Sequence, residues 1–311
     1  MKGVNKMSKI GIIGVGNVGA TVAHVLVQKG FANELILLDK KQDKAFSEML
    51  DLQDAGSLFS TYTRVSVGGY EEIADADIII SALGHIDSIT ADADRFTELK
   101  LNAPEIKVVA KELKRVGFKG KLLVITNPCD AMTELYYREL NLPHQQIIGT
   151  GTLLDSARMK HYVSEAIQVD PRSVSGYVIG EHGDSQFVAW SSVFVSGKSI
   201  FDIAKERNLD LDTIEDKARQ SGYHVHAGKG YTNIAIAEST ACIVEALLKD
   251  SKSILPVSHY HEAHDSYIST PAIIGKNGIE AVINMTLNER EQALLVSSIK
   301  EIKEKSQKFS G

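Results

Sequence analysis

Cysteine is nearly absent from the chain. Cys129 and Cys242 are its only two, and they match neither a disulfide framework nor a metal-ligand spacing; no metal is expected, and the scarcity fits a reducing compartment. Long apolar runs are missing as well: none reaches the roughly 18 residues that a membrane-spanning helix needs. The polar start, residues 1–8, lacks the apolar stretch of a secretion signal. Together these absences predict a cytoplasmic protein with no membrane partner. There is no excess of positive charge either; the net charge of −6 gives nucleic acid no electrostatic reason to bind. Internal repeats and low-complexity linkers are also lacking. What remains is ordinary for a globular protein, 43% hydrophobic and 24% charged. At 311 residues it is long enough for two domains and for a core that needs neither disulfides nor metals.

The first half alternates short apolar runs with helical patterns. Residues 9–13, 35–38, 65–67, 78–82 and 122–126 read as strands. Val18, Val22, Val25 and Leu26 recur at helical spacing, with Gly30 placed to end that helix, and residues 43–52 look helical. The strand runs lack in/out alternation, as strands buried on both faces of a parallel sheet do. This predicts an α/β fold whose N-terminal domain is a Rossmann-type doubly wound parallel sheet. Residues 94–116 look helical but contain Pro104, which predicts a break there with Pro104 in the first turn of a second helix. The second half is less regular and reads as an α+β substrate domain. Helices are expected at 152–167, 214–222, 235–248 and 289–305, and strands at 174–179 and 188–195. A hairpin of 267–274 with 279–285 is expected around the turn pair Asn277-Gly278. The boundary is drawn near residues 149–151, giving domains 1–149 and 150–311.

Gly14-Val15-Gly16-Asn17-Val18-Gly19 has the form G-x-G-x-x-G. The string alone is weak, but here it follows an expected strand and opens an expected helix. In that setting glycines allow a tight turn, close approach of a pyrophosphate and close helix packing, and the helix N-terminus offers free N–H groups to phosphate. Asp39 ends the second strand twenty residues after Gly19. An acid there accepts from ribose hydroxyls and repels a 2′-phosphate, so NAD is expected rather than NADP. The plain alternative is a tight turn followed by a surface Asp.

A second constellation lies further on. His182 sits in Glu181-His182-Gly183-Asp184-Ser185 after an apolar strand. With ten histidines in the chain, a structural role would be the ordinary reading, but its company changes the weighing. Asp155 and Arg158 are three apart and share a helix face. Either they form an ordinary ion pair, or Asp155 orients His182 while Arg158 grips a carboxylate with its planar fork. Asn127, in Thr126-Asn127-Pro128-Cys129-Asp130, lies at the carboxyl end of a strand, the edge where open α/β sheets bind ligands; a strand-ending turn is the alternative.

These residues resemble the L-lactate and malate dehydrogenase family. The resemblance covers residues 9–303, most specifically at 14–19, 126–130, 149–159, 180–185 and 228–232. Within the family the chain is most similar to the L-2-hydroxyisocaproate dehydrogenases, through Asp94-Arg95-Phe96-Thr97-Glu98-Leu99-Lys100, Ser173-Val174-Ser175-Gly176-Tyr177 and Ser185-Gln186-Phe187-Val188-Ala189-Trp190. It implies reversible hydride transfer between NADH and a 2-oxo acid. His182 would be the acid/base and Asp155 its orienting partner. Arg158 would hold the substrate carboxylate. Arg95, on the family's mobile loop, would polarise the carbonyl, with a solvated helix-end charge as its alternative. Asn127 would touch substrate and cofactor through a cis bond to Pro128, and Thr232 would line the pocket. Gly14, Gly16, Val18, Gly19, Asp39, Tyr70, Leu83 and Gly84 would contact the cofactor. Family members are mostly homotetramers and some dimers, so a homo-oligomer is implied. A non-catalytic NAD-binding protein is disfavoured because His182, Asp155, Arg158 and Arg95 are all present.

The loop 84–95 departs from the family. Lactate enzymes usually carry a Gln there and malate enzymes an Arg; here there is neither, and the loop is about two residues longer than the lactate pattern. A second substrate carboxylate would meet Asp87, Asp92 and Asp94 and no cation, which disfavours malate. Ile86 and Ile89 in a longer loop suit a branched or larger 2-oxo acid such as 2-oxoisocaproate, with pyruvate the alternative. Tyr223, His224 and His226 belong either to the pocket or to the surface.

Overall fold

The computed structural model describes the backbone of residues 8–84 and 95–307, and the side chains of these except 95–97. The first half runs β1 (Lys9–Ile13), α1 (Asn17–Lys29), β2 (Glu34–Leu38), α2 (Gln42–Gly56), β3 (Arg64–Val67), β4 (Ile78–Ser81), α3 (Arg95–Arg115), β5 (Lys121–Val124), α4 (Cys129–Glu139) and β6 (Ile147–Gly149). The second half continues with α5 (Leu153–Ile167) and the short strands β7 (Val174–Ser175), β8 (Val178–Ile179), β9 (Phe187–Val188), β10 (Phe194–Val195) and β11 (Lys198–Ser199). Then come α6 (Ile200–Arg207), α7 (Leu211–Lys229), α8 (Ile234–Lys249), β12 (Ser253–His261), β13 (Ser266–Gly275), β14 (Gly278–Val282) and α9 (Glu289–Gln307).

The first six strands pair in parallel in the order β3-β2-β1-β4-β5-β6, the doubly wound order of a dinucleotide-binding sheet. The apolar runs are unalternating because successive side chains enter two separate cores. Ile78 and Ile80 of β4 pack on one face with α1 and α8, and Ile79 packs on the other with α3 and α4. β12, β13 and β14 extend the same sheet antiparallel, joining it where Ser258 pairs with Gly149. The hairpin expected around Asn277-Gly278 is the β13–β14 connection.

Three expectations are corrected. α3 runs through Pro104 without a break. Its buried face, with Leu99, Ala103, Ile106 and Val109, packs into the core on both sides of the proline. Pro104 and Lys100, whose carbonyl loses its helical partner, are exposed to solvent. The strand expected at 174–179 is two strands separated by Gly176, which has φ +128°. The strand expected at 188–195 is broken by a 3-10 turn at Trp190–Ser192, where the indole is buried and donates to Glu215 Oε2 at 3.0 Å.

A buried histidine on β12 makes stability depend on pH. His259 is 1% exposed; its ring nitrogens meet Thr270 Oγ1 at 2.8 Å and the Tyr260 carbonyl at 3.1 Å. Burial pushes its pKa from 6.5 down to about 4. Between those values the unfolded chain binds a proton that the folded chain refuses, so stability is full above pH 6.5 and falls as pH drops toward 4, by about 3 kcal/mol from this group. Urea midpoints at pH 6.5 and 4.5 test this: His259→Gln loses less stability over the interval than the parent protein. Equal losses would contradict the assignment.

Candidate active site

The glycine-rich turn joins β1 to α1. Gly14 has φ +90°, and a Cβ on it would lie 2.8 Å from the Ala82 carbonyl oxygen. A Cβ on Gly19 would stand 1.9 Å from the Gly14 carbonyl oxygen, so Gly19 lets the helix press against the turn. Gly16 differs from both. Its backbone is extended, with φ −68° and ψ −167°, and a Cβ on it would meet nothing within 4 Å. It keeps open a groove of about 960 Å³ lined by Gly14, Gly16, Asp39, Tyr70, Leu83 and Gly84, six of the nine residues expected to contact a cofactor. No side chain caps the first turn of α1, which leaves N–H groups for an anionic ligand.

Asp39 stands at the far end of the groove. Its Oδ2 accepts from the Val15 N–H and its Oδ1 from the Lys41 N–H, both at 2.9 Å, and each oxygen retains a lone pair for a ribose hydroxyl. Tyr70 is half-buried, and burial raises its phenol pKa. Val18 does not line the groove; it packs against the core. The groove thus offers room, an uncapped helix start and an acid with free lone pairs, which fit the phosphates and a ribose of NAD.

Three of the candidates, His182, Asp155 and Arg158, meet in the second half of the chain. β8 and β9 form a hairpin, with Val178 opposite Val188 and Ile179 opposite Phe187, and His182 lies in its connecting loop. His182 Nδ1 is 2.6 Å from Asp155 Oδ2. A carboxylate only accepts, so Nδ1 carries the proton and Nε2 is the nitrogen left for a substrate. Arg158 Nη1 donates to Asp155 Oδ1 at 3.0 Å. The two contacts coexist, one oxygen to each partner, because a buried carboxylate gathers several donors. Arg158 lies against Gly222 of α7, where a Cβ would come within 3.1 Å of the guanidinium.

The turn bearing Asn127 arrives from β5. The Asn127–Pro128 bond is cis, and Asn102 Nδ2 donates to the Asn127 carbonyl at 2.8 Å. Thr232 lies past Gly230, the left-handed cap of α7, the helix that also carries Gly222. Arg95 opens α3, but its side chain and the loop 85–94 lie outside the described residues. Tyr223, His224 and His226 are exposed, and the Tyr223 hydroxyl donates to Asp184 Oδ1 at 2.5 Å.

Two supporting residues escaped the sequence reading. Asp130 lies within a segment singled out for its resemblance and received no role. Its Oδ2 accepts the His182 backbone N–H at 2.7 Å and its Oδ1 the Ser269 hydroxyl at 3.1 Å; burial raises its pKa. Gln186, with its amide turned as its surroundings require, donates to the two Asp155 oxygens at 3.1 and 3.2 Å. An acid at an Asn-Pro-x-Asp helix start was the available signal for Asp130; nothing local marks Gln186. Cys129 is buried, its thiol pushed up to about 12, and takes no part as a nucleophile. No described helix is long and apolar enough to cross a membrane.

Known proteins match this arrangement along its length. Residues 8–149 match the lactate/malate dehydrogenase NAD binding domain, and residues 152–310 the lactate/malate dehydrogenase alpha/beta C-terminal domain. L-lactate dehydrogenase 1 of Bifidobacterium longum is 36% identical over 307 residues, covering 96% of each chain. The minor L-lactate dehydrogenase of Enterococcus mundtii, solved with ligands bound, superposes with a TM-score of 0.93 at 35% identity, over 97% of this chain and 98% of that one. The lactate dehydrogenase of Cryptosporidium parvum, solved with lactic acid and NAD, gives 0.92 at 28% identity, over 98% of each chain. The chain belongs to the lactate/malate dehydrogenase family and is an NAD-dependent oxidoreductase.

Proposed function

We propose that the protein reduces 2-oxo monocarboxylates to L-2-hydroxy acids, reversibly, and that its preferred substrates carry a branched or larger apolar side chain, as 2-oxoisocaproate does. The observation that carries the chemistry is the His182–Asp155–Arg158 group, with Nδ1 of the histidine held at 2.6 Å. NADH bound against Gly14, Gly16, Asp39, Tyr70, Leu83 and Gly84 supplies the hydride. Arg158 holds the substrate carboxylate with two parallel hydrogen bonds and so fixes which carbon face is offered. His182 gives a proton from Nε2 to the carbonyl oxygen during reduction and takes it back during oxidation. Asp155 keeps the ring oriented, holding its Nδ1 proton so that Nε2 faces the substrate. Arg95 polarises the carbonyl, Asn127 touches substrate and cofactor, and Thr232 lines the pocket. In this reading residues 1–149 hold the cofactor and residues 150–311 the substrate, in a cytoplasmic homo-oligomer.

The side-chain preference rests on the sequence of the loop 85–94, where Ile86 and Ile89 stand and a second carboxylate would find acids instead of a cation. A second reading, pyruvate with L-lactate, is favoured by the names of the relatives, L-lactate dehydrogenases in Bifidobacterium and Enterococcus. Both readings require the Arg158 fork. Arg158→Lys raises the half-saturating concentration of the 2-oxo acid roughly tenfold or more, about 1.4 kcal/mol, because a point charge cannot make two parallel bonds. Steady-state kinetics at saturating NADH measure it; an unchanged half-saturation would remove Arg158 from the substrate.

A further inference from the structure

The loop that carries His182 is held from below by the C-terminal helix. Glu181 is an acid buried to 3% side-chain exposure, and Lys305, in the last turn of α9, is exposed to only 10%. Their charged ends meet at 2.5 Å. The other Glu181 oxygen accepts the Ser185 hydroxyl at 2.7 Å. Ser298, two turns earlier on α9, accepts the Glu181 backbone N–H at 2.7 Å and lies 3.0 Å from Ser185 Oγ. The loop folds tightly over this carboxylate: a Cβ on Gly183 would stand 2.6 Å from the Glu181 carboxyl carbon. α9 is itself fixed to α4, where Ser306 donates to Glu134 Oε2 at 2.8 Å, and α4 carries the Asp130 that holds the His182 backbone. Both sides of the His182 peptide are therefore anchored, by Asp130 from α4 and by Glu181 through α9.

We infer that Lys305 and Ser298 are positioning residues for the reaction, acting through Glu181 to set the height and electrostatic surroundings of His182. The inference rests on the role of His182 given above. Among the described residues, the charged and titratable groups linked to this loop are Asp155 with Arg158 from α5, Asp130 from α4, Asp184 with Tyr223 from α7, and Glu181 with Lys305 from α9. Among the described residues Lys305 is the cation paired with Glu181. Without it a buried carboxylate next in sequence to His182 has no counter-ion, which is costly, and the loop relaxes to hydrate it. A displacement of about 1 Å at a reacting group costs on the order of 10²-fold in rate. The uncompensated anion also favours the protonated ring, whereas hydroxy-acid oxidation needs the neutral one.

The test uses the full chain with NADH and a 2-oxo acid that it turns over, assayed well below each variant's melting temperature. Lys305→Met lowers kcat on the order of 10²-fold with NADH affinity retained. It also moves the acid limb of hydroxy-acid oxidation to higher pH by roughly half a unit or more. Lys305→Arg keeps most of the activity. The double variant Lys305→Met with Glu181→Gln, which removes the buried charge, recovers much of kcat and returns the acid limb. Parent-like kcat and pH profile in Lys305→Met would overturn the inference, as would a loss that neither Arg nor the double variant recovers. Should Lys305→Met not fold, Ser298→Ala decides: a several-fold fall in kcat supports the anchoring and an unchanged kcat overturns it. His182→Ala, run alongside, separates the two claims, since full activity there would sink the role of His182 before that of Lys305.

Discussion

Replacing His182 by Ala lowers turnover on the order of 10³- to 10⁴-fold while leaving NADH affinity nearly intact. The size follows from two losses at one atom: the proton donor of reduction and a charged hydrogen bond to the oxygen that becomes negative. The selectivity follows from the surroundings. The His182 contact to Asp130 is made by the backbone N–H, so the variant keeps it. Asp155 loses one donor but keeps Arg158 at 3.0 Å and the Gln186 amide, so its buried carboxylate is not orphaned. The cofactor groove is lined from the first half of the chain and does not include His182. Stopped-flow turnover with a fluorescence titration of NADH measures both quantities. Parallel loss of turnover and of NADH affinity would show that His182 holds the structure instead of moving a proton.

Gly16→Val weakens cofactor binding sharply without unfolding the protein. Of the three motif glycines, Gly16 alone has both an extended backbone and open space where a Cβ would go, so a side chain starts there without backbone strain. The isopropyl group then stands in the groove where the cofactor backbone must approach. A loss of roughly 100-fold in NADH affinity is expected, about 2.7 kcal/mol, with a melting temperature close to the parent's. Gly19→Ala behaves in the opposite sense: the 1.9 Å approach to the Gly14 carbonyl forces the helix off the turn, and stability falls along with binding. Parent-like NADH affinity in Gly16→Val would mean that the cofactor does not cross this turn.

The parts of the molecule legible in the sequence are those whose meaning is local. The β1–α1 turn announces itself because three glycines at fixed spacing have few other uses between a strand and a helix. β4, with Ile78, Ile79 and Ile80 in a row, reads as buried on both faces because no period separates inside from outside. β12 was missed because Pro256 interrupts its run and His259 breaks its apolar pattern; its strand character comes from pairing with β13, where Pro256 stands opposite Pro271. α3 was misread at Pro104 because the packing that holds a helix across a proline is tertiary. The same contrast governs the site. Asp155 and Arg158 share a helix face, and their pairing could be anticipated from spacing, but His182 lies 27 residues away from Asp155, so its link to them stayed one of two readings until the family resemblance favoured it. Glu181 and Lys305 are 124 residues apart, and no local signal links an acid in a loop to a lysine at the end of the last helix.

The most direct test of the account is NADH oxidation by the purified protein with 2-oxoisocaproate, phenylpyruvate, pyruvate and oxaloacetate, compared as kcat/KM. The account predicts turnover of the monocarboxylates, highest for 2-oxoisocaproate or phenylpyruvate, and little for oxaloacetate. Highest efficiency with pyruvate would keep the chemistry and replace the side-chain preference by the lactate reading. Preference for oxaloacetate, or turnover of none of the four, would contradict the account.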